Sequence, residues 1–218
     1  PSDRVGIMAG DKIVTIDGED AFGKKVNNDY VAKHLRGEKG TKVTLGIKRG
    51  KTDELIDYEV IRDKIPLNSI EAAFMLDKNV GYIKLDRFAQ TSNTEFEESL
   101  AKLKAQKMKS LILDLRGNTG GYLNIAAELS NQFLKKDMTI VYTEGDKSPK
   151  QIFNTDKNGK FTDGKLIILI DEGSASASEI VSGAVQDWDR GILIGRRSFG
   201  KGLVQRPFNL PDGSQVRL

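Results

Sequence analysis

Three unbroken apolar runs constrain this chain more than any other feature: residues 110–115 (S-L-I-L-D-L), 166–170 (L-I-I-L-I) and 191–194 (G-I-L-I). Each has the length of a strand. None alternates apolar with polar as a strand half in water does, so both faces are expected to be covered. Helical patterns separate them. Residues 94–108 set Phe96, Leu100 and Leu103 on one face, 123–134 carry Ile125, Ala126, Leu129 and Phe133, and 178–188 follow the second run. Strands are also expected over 80–85 and 139–142, while the polar stretch 146–164, with its Asn158-Gly159, reads as a loop or hairpin. Strands alternating with helices predict the α/β class, a mostly parallel sheet with helices on both faces. Binding sites in such sheets lie beyond the carboxyl ends of strands. Two glycine-rich turns fall there, R-G-N-T-G-G at 116–121 and G-S-A-S-A-S at 173–178.

The first sixty-odd residues have a different texture. Residues 12–17 alternate weakly and reach Asp17-Gly18, a two-residue hairpin signal. Residues 28–35 read as a helix, capped by Asn27 or Asn28 and ended by Gly37. Strands follow at 41–49 and 55–62, giving a β-β-α-β-β order, and Ile65-Pro66 marks a linker. The expected domains are therefore 1–63 and 64–218. The opening P-S-D-R-V-G reads as the middle of a domain, and the chain stops one short strand, 215–218, after the turn Pro211-Asp212-Gly213, so a fragment is expected.

Composition narrows the chemistry. The chain has no cysteine, which excludes disulfides, thiolate metal sites and a cysteine nucleophile. Its single histidine, His34, falls in the first unit, away from both glycine-rich turns in sequence. A net charge of +3 with interspersed signs gives no nucleic-acid face, and no apolar run reaches membrane-spanning length. Neither a metal nor a cofactor is expected.

The turn at 173–178 holds Ser174, Ser176 and Ser178 at alternate positions. Ser176-Ala177-Ser178-Glu179 fits the S-x-x-E capping box, the ordinary use of serine before a helix. Chemistry asks for more, because a serine hydroxyl is a weak nucleophile until a base takes its proton. With His34 remote, the candidate bases are a lysine or a carboxylate. Downstream of the third run, Lys201 sits between Gly200 and Gly202 in F-G-K-G-L-V-Q. Those glycines are either plain loop residues beside a solvated lysine or a device for close approach of another group.

S-A-S-A-S-E-I followed by F-G-K-G-x-V-Q resembles the C-terminal processing peptidases, or tail-specific proteases: serine peptidases with a Ser–Lys dyad and an attached PDZ domain. D-L-R-G-N-T-G-G at 114–121 resembles a third signature of that family, and L-R-G-E-K-G-T at 35–41 resembles a corner of its PDZ module. The resemblance implies a crotonase/ClpP-like catalytic domain after a partial, circularly permuted PDZ domain lacking its first strand. It places the nucleophile at Ser176, the general base at Lys201 and an orienting amide at Gln205. Ser174 and Ser178 are then structural. An oxyanion hole would combine the N–H of Ala177 with one from Gly120 or Gly121, Gly120 being narrowly preferred, with Asn118 bracing the turn. Arg36 is either a solvated helix-end residue or a coupling residue between the PDZ module and the region of Gln205.

A lysine base must be neutral, so its amine needs a site shielded from water and free of carboxylates. Phe199, Leu203 and Val204 are expected to provide that shield, with Glu179 facing away or capping the helix. The implied partner is a protein or peptide with a free C-terminal tail, in an extracytoplasmic, periplasmic or membrane-associated setting, with oligomerisation open. Two alternatives stand beside this: an inactive peptide-binding scaffold of the same fold, and an acyl-CoA enzyme of crotonase-like topology, which leaves Lys201 without a task.

Overall fold

The structure, a computed structural model, describes residues 1–218 except Lys24, Lys25, Asp53, Pro66, Arg206 and Leu218. Pro66 of the expected linker and Leu218 of the expected last strand thus lie outside the described residues. The chain divides into two compact units, Pro1–Leu67 and Asn68–Leu218.

The first unit is a four-stranded antiparallel sheet with one helix. Strands β1 (Lys12–Ile16), β2 (Glu19–Asp20), β3 (Lys42–Lys48) and β4 (Leu55–Ile61) lie in the order β2-β1-β3-β4. Asp17 and Gly18, at φ 50° and 83°, close the β1–β2 hairpin with Ile16 opposite Glu19. Positive φ at both central residues matches the right-handed twist of the flanking strands. Helix α1 (Asn28–Leu35) is capped by Asn27, whose side chain accepts from the Tyr30 N–H at 2.8 Å. Its far end falls where Gly37 predicts: Arg36, in extended conformation, is the C-cap and Gly37 follows it. The Arg62 guanidinium takes the last carbonyls, donating to His34 O and Leu35 O at 2.9 Å each, and a Cβ on Gly37 would stand 2.8 Å from Arg62 Cδ. Ile16, Val43, Leu45, Ile47 and Val60 form this unit's core. His34 is tied to its own helix, with Nδ1 2.8 Å from Tyr30 O and its ring stacked on Tyr30.

The second unit is the α/β body. Its five-stranded sheet comprises β5 (Ile70–Asp77), β6 (Val80–Leu85), β7 (Ser110–Asp114), β10 (Lys165–Ile170) and β11 (Ile192–Gly195). The order is β11-β10-β7-β6-β5, with β5 antiparallel to β6 and every other pair parallel. Strand β5 went unread in the sequence, because A-A-F-M-L is rich in helix formers and poor in β-branched residues. Helices α2 (Ser92–Ala105), α3 (Leu123–Asn131) and α4 (Ala177–Asp187) connect or flank the strands.

Alternate residues of the strands point to one core: Ile83 and Leu85, Leu111 and Leu113, Leu166 and Ile168. Phe96, Leu100 and Leu103 of α2, Ile125 and Leu129 of α3, and Val181 and Val185 of α4 enter the same core. All three helices therefore cover one face. The expectation of helices on both faces is met on that face alone among the described residues; Phe74, Tyr82 and Ile112 point the other way and are exposed or half-buried. Truncating a fully buried core aromatic such as Phe96 would cost about 3–5 kcal/mol. The polar stretch after α3 is a hairpin, β8 (Thr139–Gly145) with β9 (Ser148–Asn154), turning at residues 146–147 and not at Asn158-Gly159. A last short hairpin pairs β12 (Pro207–Asn209) with β13 (Gln215–Arg217). No described helix is long and apolar enough to cross a membrane.

Candidate active site

Strands β7, β10 and β11 are parallel neighbours, so the three segments that leave their carboxyl ends emerge side by side. They are the glycine turn at 115–121, the serine turn at 171–176 and the lysine loop at 196–205. Side chains lock the first two together. Asp171 accepts from the Gly117 N–H at 2.8 Å and from the Gly173 N–H at 2.9 Å. The Gly117 N–H is the main reason its carboxyl sits below the ordinary range, with the Gly173 and Ser174 donors adding to it against burial. Ser174 Oγ, fully buried, donates to Leu115 O at 2.8 Å and accepts from the Asp171 N–H at 3.0 Å. Ser178 Oγ, also fully buried, donates to Asn118 O at 2.8 Å.

Ser176 differs from both. It stands at φ 56°, ψ −110°, a region an L-residue seldom adopts, at the point where the chain turns from strand to helix. Such strain costs on the order of 1–3 kcal/mol and persists only where the surroundings enforce it. Ser176 and Glu179 face each other as a capping box, and its well-formed half is the Ser176 N–H to Glu179 Oε2 bond at 2.8 Å. In the other half the Ser176 hydroxyl faces the Glu179 N–H without making a cap hydrogen bond, because that N–H donates to Ser176 O at 2.8 Å. Ser176 lines a cleft of about 480 Å³ together with Lys201, Gly202, one face of α4 and residues 139–142 of β8.

Glu179 does more than cap. Its Oε1 accepts from Ser198 Oγ at 2.7 Å and the Gly200 N–H at 2.6 Å, and its Oε2 also accepts from the Lys201 N–H at 2.9 Å. Burial pushes this carboxyl up, yet the Ser198, Ser176, Gly200 and Lys201 donors outweigh it and hold it below its ordinary value. The lysine loop is thereby fixed to the start of α4. Lys201 is half-buried, and its Nζ donates to Gln205 Oε1 at 3.3 Å, a contact open to solvent. No hydrogen bond joins Ser176 to Lys201 among those the structure shows. The expected apolar shield is not closed, since Phe199 is 68% exposed, Leu203 78% and Val204 50%. These residues follow β11, the edge strand of the five-stranded sheet.

The glycine turn approaches the serine closely. A Cβ on Gly120 would stand 2.7 Å from Ala175 O, 2.9 Å from Ser176 Cβ and 3.0 Å from Ala177 N, so only glycine fits there. The Gly120 N–H donates to Asn118 Oδ1 at 2.9 Å, and Asn118 Nδ2 donates to Leu85 O at 2.8 Å. Gly121 bridges Phe88 through its neighbours, the Phe88 N–H reaching Gly120 O and the Tyr122 N–H reaching Phe88 O. Its own N–H stays out of that bridge. Below the turn, buried Asp114 accepts from Tyr82 Oη at 2.7 Å and from Arg116 Nη2 at 2.6 Å. Burial pushes the Asp114 carboxyl up, but these donors and the Arg116 N–H bring it down to about 2. No sequence signal assigned a role to Asp114, Arg116, Tyr82 or Asp171. Arg36 is exposed at the end of α1. Among the described residues no group of three or more His, Asp or Glu side chains is placed to hold a metal ion.

Residues 79–218 match Peptidase family S41. The chain is 39% identical over 217 residues to the carboxyl-terminal-processing protease of Picosynechococcus sp., covering 98% of this chain and 51% of that protein. Identity to the carboxy-terminal processing protease CtpA of Bacillus subtilis is 35% over 218 residues, 100% of this chain and 46% of that one. The solved structure of the photosystem II D1 C-terminal processing protease superposes with a TM-score of 0.61 at 28% identity, over 100% of this chain and 59% of the other. The chain thus spans about half the length of the curated relatives it matches. Since the family match runs from β6 to β13 and takes in all three interlocked turns, the chain belongs to peptidase family S41.

Proposed function

We propose that this chain carries the catalytic centre of a carboxyl-terminal processing serine peptidase, with Ser176 as nucleophile, Lys201 as general base and Gln205 as the residue that orients the lysine amine. One observation carries it. Of the serines at 174, 176 and 178, the outer two are buried and hydrogen-bonded, whereas Ser176 is strained, lacks a cap bond and opens on a cleft that Lys201 also lines.

In this mechanism neutral Lys201 Nζ takes the Ser176 proton as Oγ attacks the scissile carbonyl. The ammonium then returns that proton to the departing amine, and an acyl-serine forms. Water, deprotonated by the same amine, cleaves the ester and frees Ser176. The tetrahedral oxyanion needs two donors. Ala177 N–H, at the first position of α4, has no intrahelical partner and gains from the helix N-terminus. For the second, Gly121 N–H is favoured over Gly120 N–H, because the latter already donates to Asn118. A donor of this kind is worth about 3 kcal/mol of barrier. Gln205 Oε1, as an acceptor to Nζ, aims the amine.

The first unit completes the proposal as a partial PDZ domain that recruits or senses the substrate tail by pairing it to a sheet edge. The partner is a protein or peptide with a free C-terminal tail, and the setting is extracytoplasmic, periplasmic or membrane-associated.

The test is cleavage of an unstructured C-terminal tail by the full-length protein. Ser176→Ala and Lys201→Met should each lower turnover by at least a thousandfold while the protein stays folded. Undiminished turnover in either variant would overturn the assignment. A full-length protein that binds tails yet never reacts with a serine-directed acylating probe would establish the scaffold alternative instead.

A further inference from the structure

Gly183 stands near the centre of α4, and among the described residues it is the one glycine inside a helix. Glycine in a helix interior is less stable than alanine by about 1 kcal/mol, so a packing or backbone reason is expected for it. The strand glycine Gly81 has one, since a Cβ there would run into Met108 and Leu103. At Gly183 a Cβ would meet nothing within 4 Å, and its φ is an ordinary helical one. Neither the fold of α4 nor its neighbours calls for a missing side chain.

What sets Gly183 apart is where it opens. It lies on the face of α4 formed by Ser176, Ile180, Gly183, Ala184 and Asp187, which is one wall of the cleft that holds Ser176 and Lys201. Across from it stand Ile140, Val141 and Tyr142 of β8. Seven residues of helix place Gly183 about 10 Å along the axis from Ser176, a distance covered by about three residues of extended peptide.

We propose that Gly183 is a specificity-determining residue: its missing side chain keeps open a subsite for a bulky apolar side chain of the substrate, about three residues from the scissile bond. The proposal rests on the peptidase reading of Ser176 and Lys201. The apolar lining residues that keep exposed surface, Ile180, Val141 and Tyr142, set the chemistry of what enters. The absence of a Cβ sets how large it can be.

The experiment uses the full-length protein and a panel of quenched peptides carrying Leu or Ala at each of the positions flanking the scissile bond. Gly183→Ala should lower the ratio of kcat/KM for Leu over Ala by about tenfold at one position, mainly through KM, since one methyl group in an apolar pocket is worth about 10- to 200-fold. Gly183→Leu should reverse the preference there. Thermal unfolding of Gly183→Ala should be unchanged or shifted upward. A Leu-to-Ala ratio unchanged at every position would overturn the proposal, as would a clear fall in Tm on Gly183→Ala, which would make the glycine structural. Binding of the same peptides to Ser176→Ala and to Ser176→Ala/Gly183→Leu, by fluorescence anisotropy, reads the subsite without catalysis. If Ser176→Ala still cleaves, the peptidase reading fails, yet the anisotropy ratio still decides for or against Gly183.

Discussion

Replacing Asn118 with alanine tests whether one buried amide holds the glycine turn against the serine turn. Asn118 is fully buried; its Oδ1 accepts from the Gly120 N–H at 2.9 Å and its Nδ2 donates to Leu85 O at 2.8 Å. Alanine keeps the backbone carbonyl that Ala175 N–H and Ser178 Oγ bond to, so those links survive. What is lost is a partner for one buried donor and one buried acceptor. Each unpartnered group costs about 1–3 kcal/mol, and the two sum to about 2–6 kcal/mol before any water enters. For a unit of this size, about 2–4 °C per kcal/mol puts the drop in Tm at roughly 4–24 °C. Trp188 is the chain's only tryptophan and ends α4 in the same unit, so urea unfolding followed by its fluorescence reports on the affected unit. Tail cleavage by the full-length variant should fall by at least tenfold, because Gly120 loses the bond that holds it against Ser176 and Ala177. A stability change below about 0.5 kcal/mol with unaltered cleavage would refute the idea that this amide braces the turn.

Asp114 gives a pH signature. Its folded pKa, about 2, lies below the ordinary 3.8, so its contribution is complete above pH ~4 and is lost as pH falls toward 2. Asp114→Asn should remove up to one proton's worth of slope, at most about 1.4 kcal/mol per pH unit, from stability measured by urea unfolding between those limits; an unchanged slope would count against the assignment. In the first unit, Arg62→Ala should cost α1 its C-terminal anchor and the links to Thr41 Oγ1 and Lys42 O. Hydrogen exchange at the amides of α1 should quicken at least tenfold, since hydrogen bonds to a charged group are worth about 1.5–3 kcal/mol each; unaltered protection would show that the helix end is held otherwise.

Much of the fold was legible because burial writes itself into sequence as period. The runs at 110–115 and 166–170 became β7 and β10, and Phe96, Leu100 and Leu103 became the buried face of α2. Asp17-Gly18 made the hairpin its φ preference called for. Strand β5 was hidden because its residues favour helix in isolation, and pairing with β6 overrides that preference. The β8–β9 turn was hidden because its central pair, Asp146-Lys147, is none of the pairs that favour a two-residue hairpin, and Gly145 before it ends the strand instead. The end of α1 was legible from Gly37, which follows the C-cap Arg36; what local sequence could not show is that Arg62, twenty-seven residues downstream of Leu35, takes the last carbonyls across that glycine. In the candidate site the serines, the Gly-Gly turn and Lys201 could be read as motifs. Glu179 could be read as a helix cap, but neither its hold on the lysine loop nor the role of Asp171 could, because both exist only once β7, β10 and β11 lie side by side.

That dependence explains how Ser176 can hold a conformation its own residue type disfavours. The strain at φ 56° must be opposed by bonds that do not involve its hydroxyl, or the group would be unavailable for chemistry. The structure meets that condition from both sides. Upstream, Ser174 is anchored to Leu115 O, and the Ala175 N–H is anchored to Asn118 O. Downstream, Ser178 binds Asn118 O, and Glu179 takes the Ser176 N–H. Each anchor uses a neighbouring residue or the Ser176 backbone, and none uses Ser176 Oγ. A capping serine has its oxygen occupied by the helix it starts. Here the flanking serines and Glu179 perform the structural duty, and the central hydroxyl is left facing the cleft.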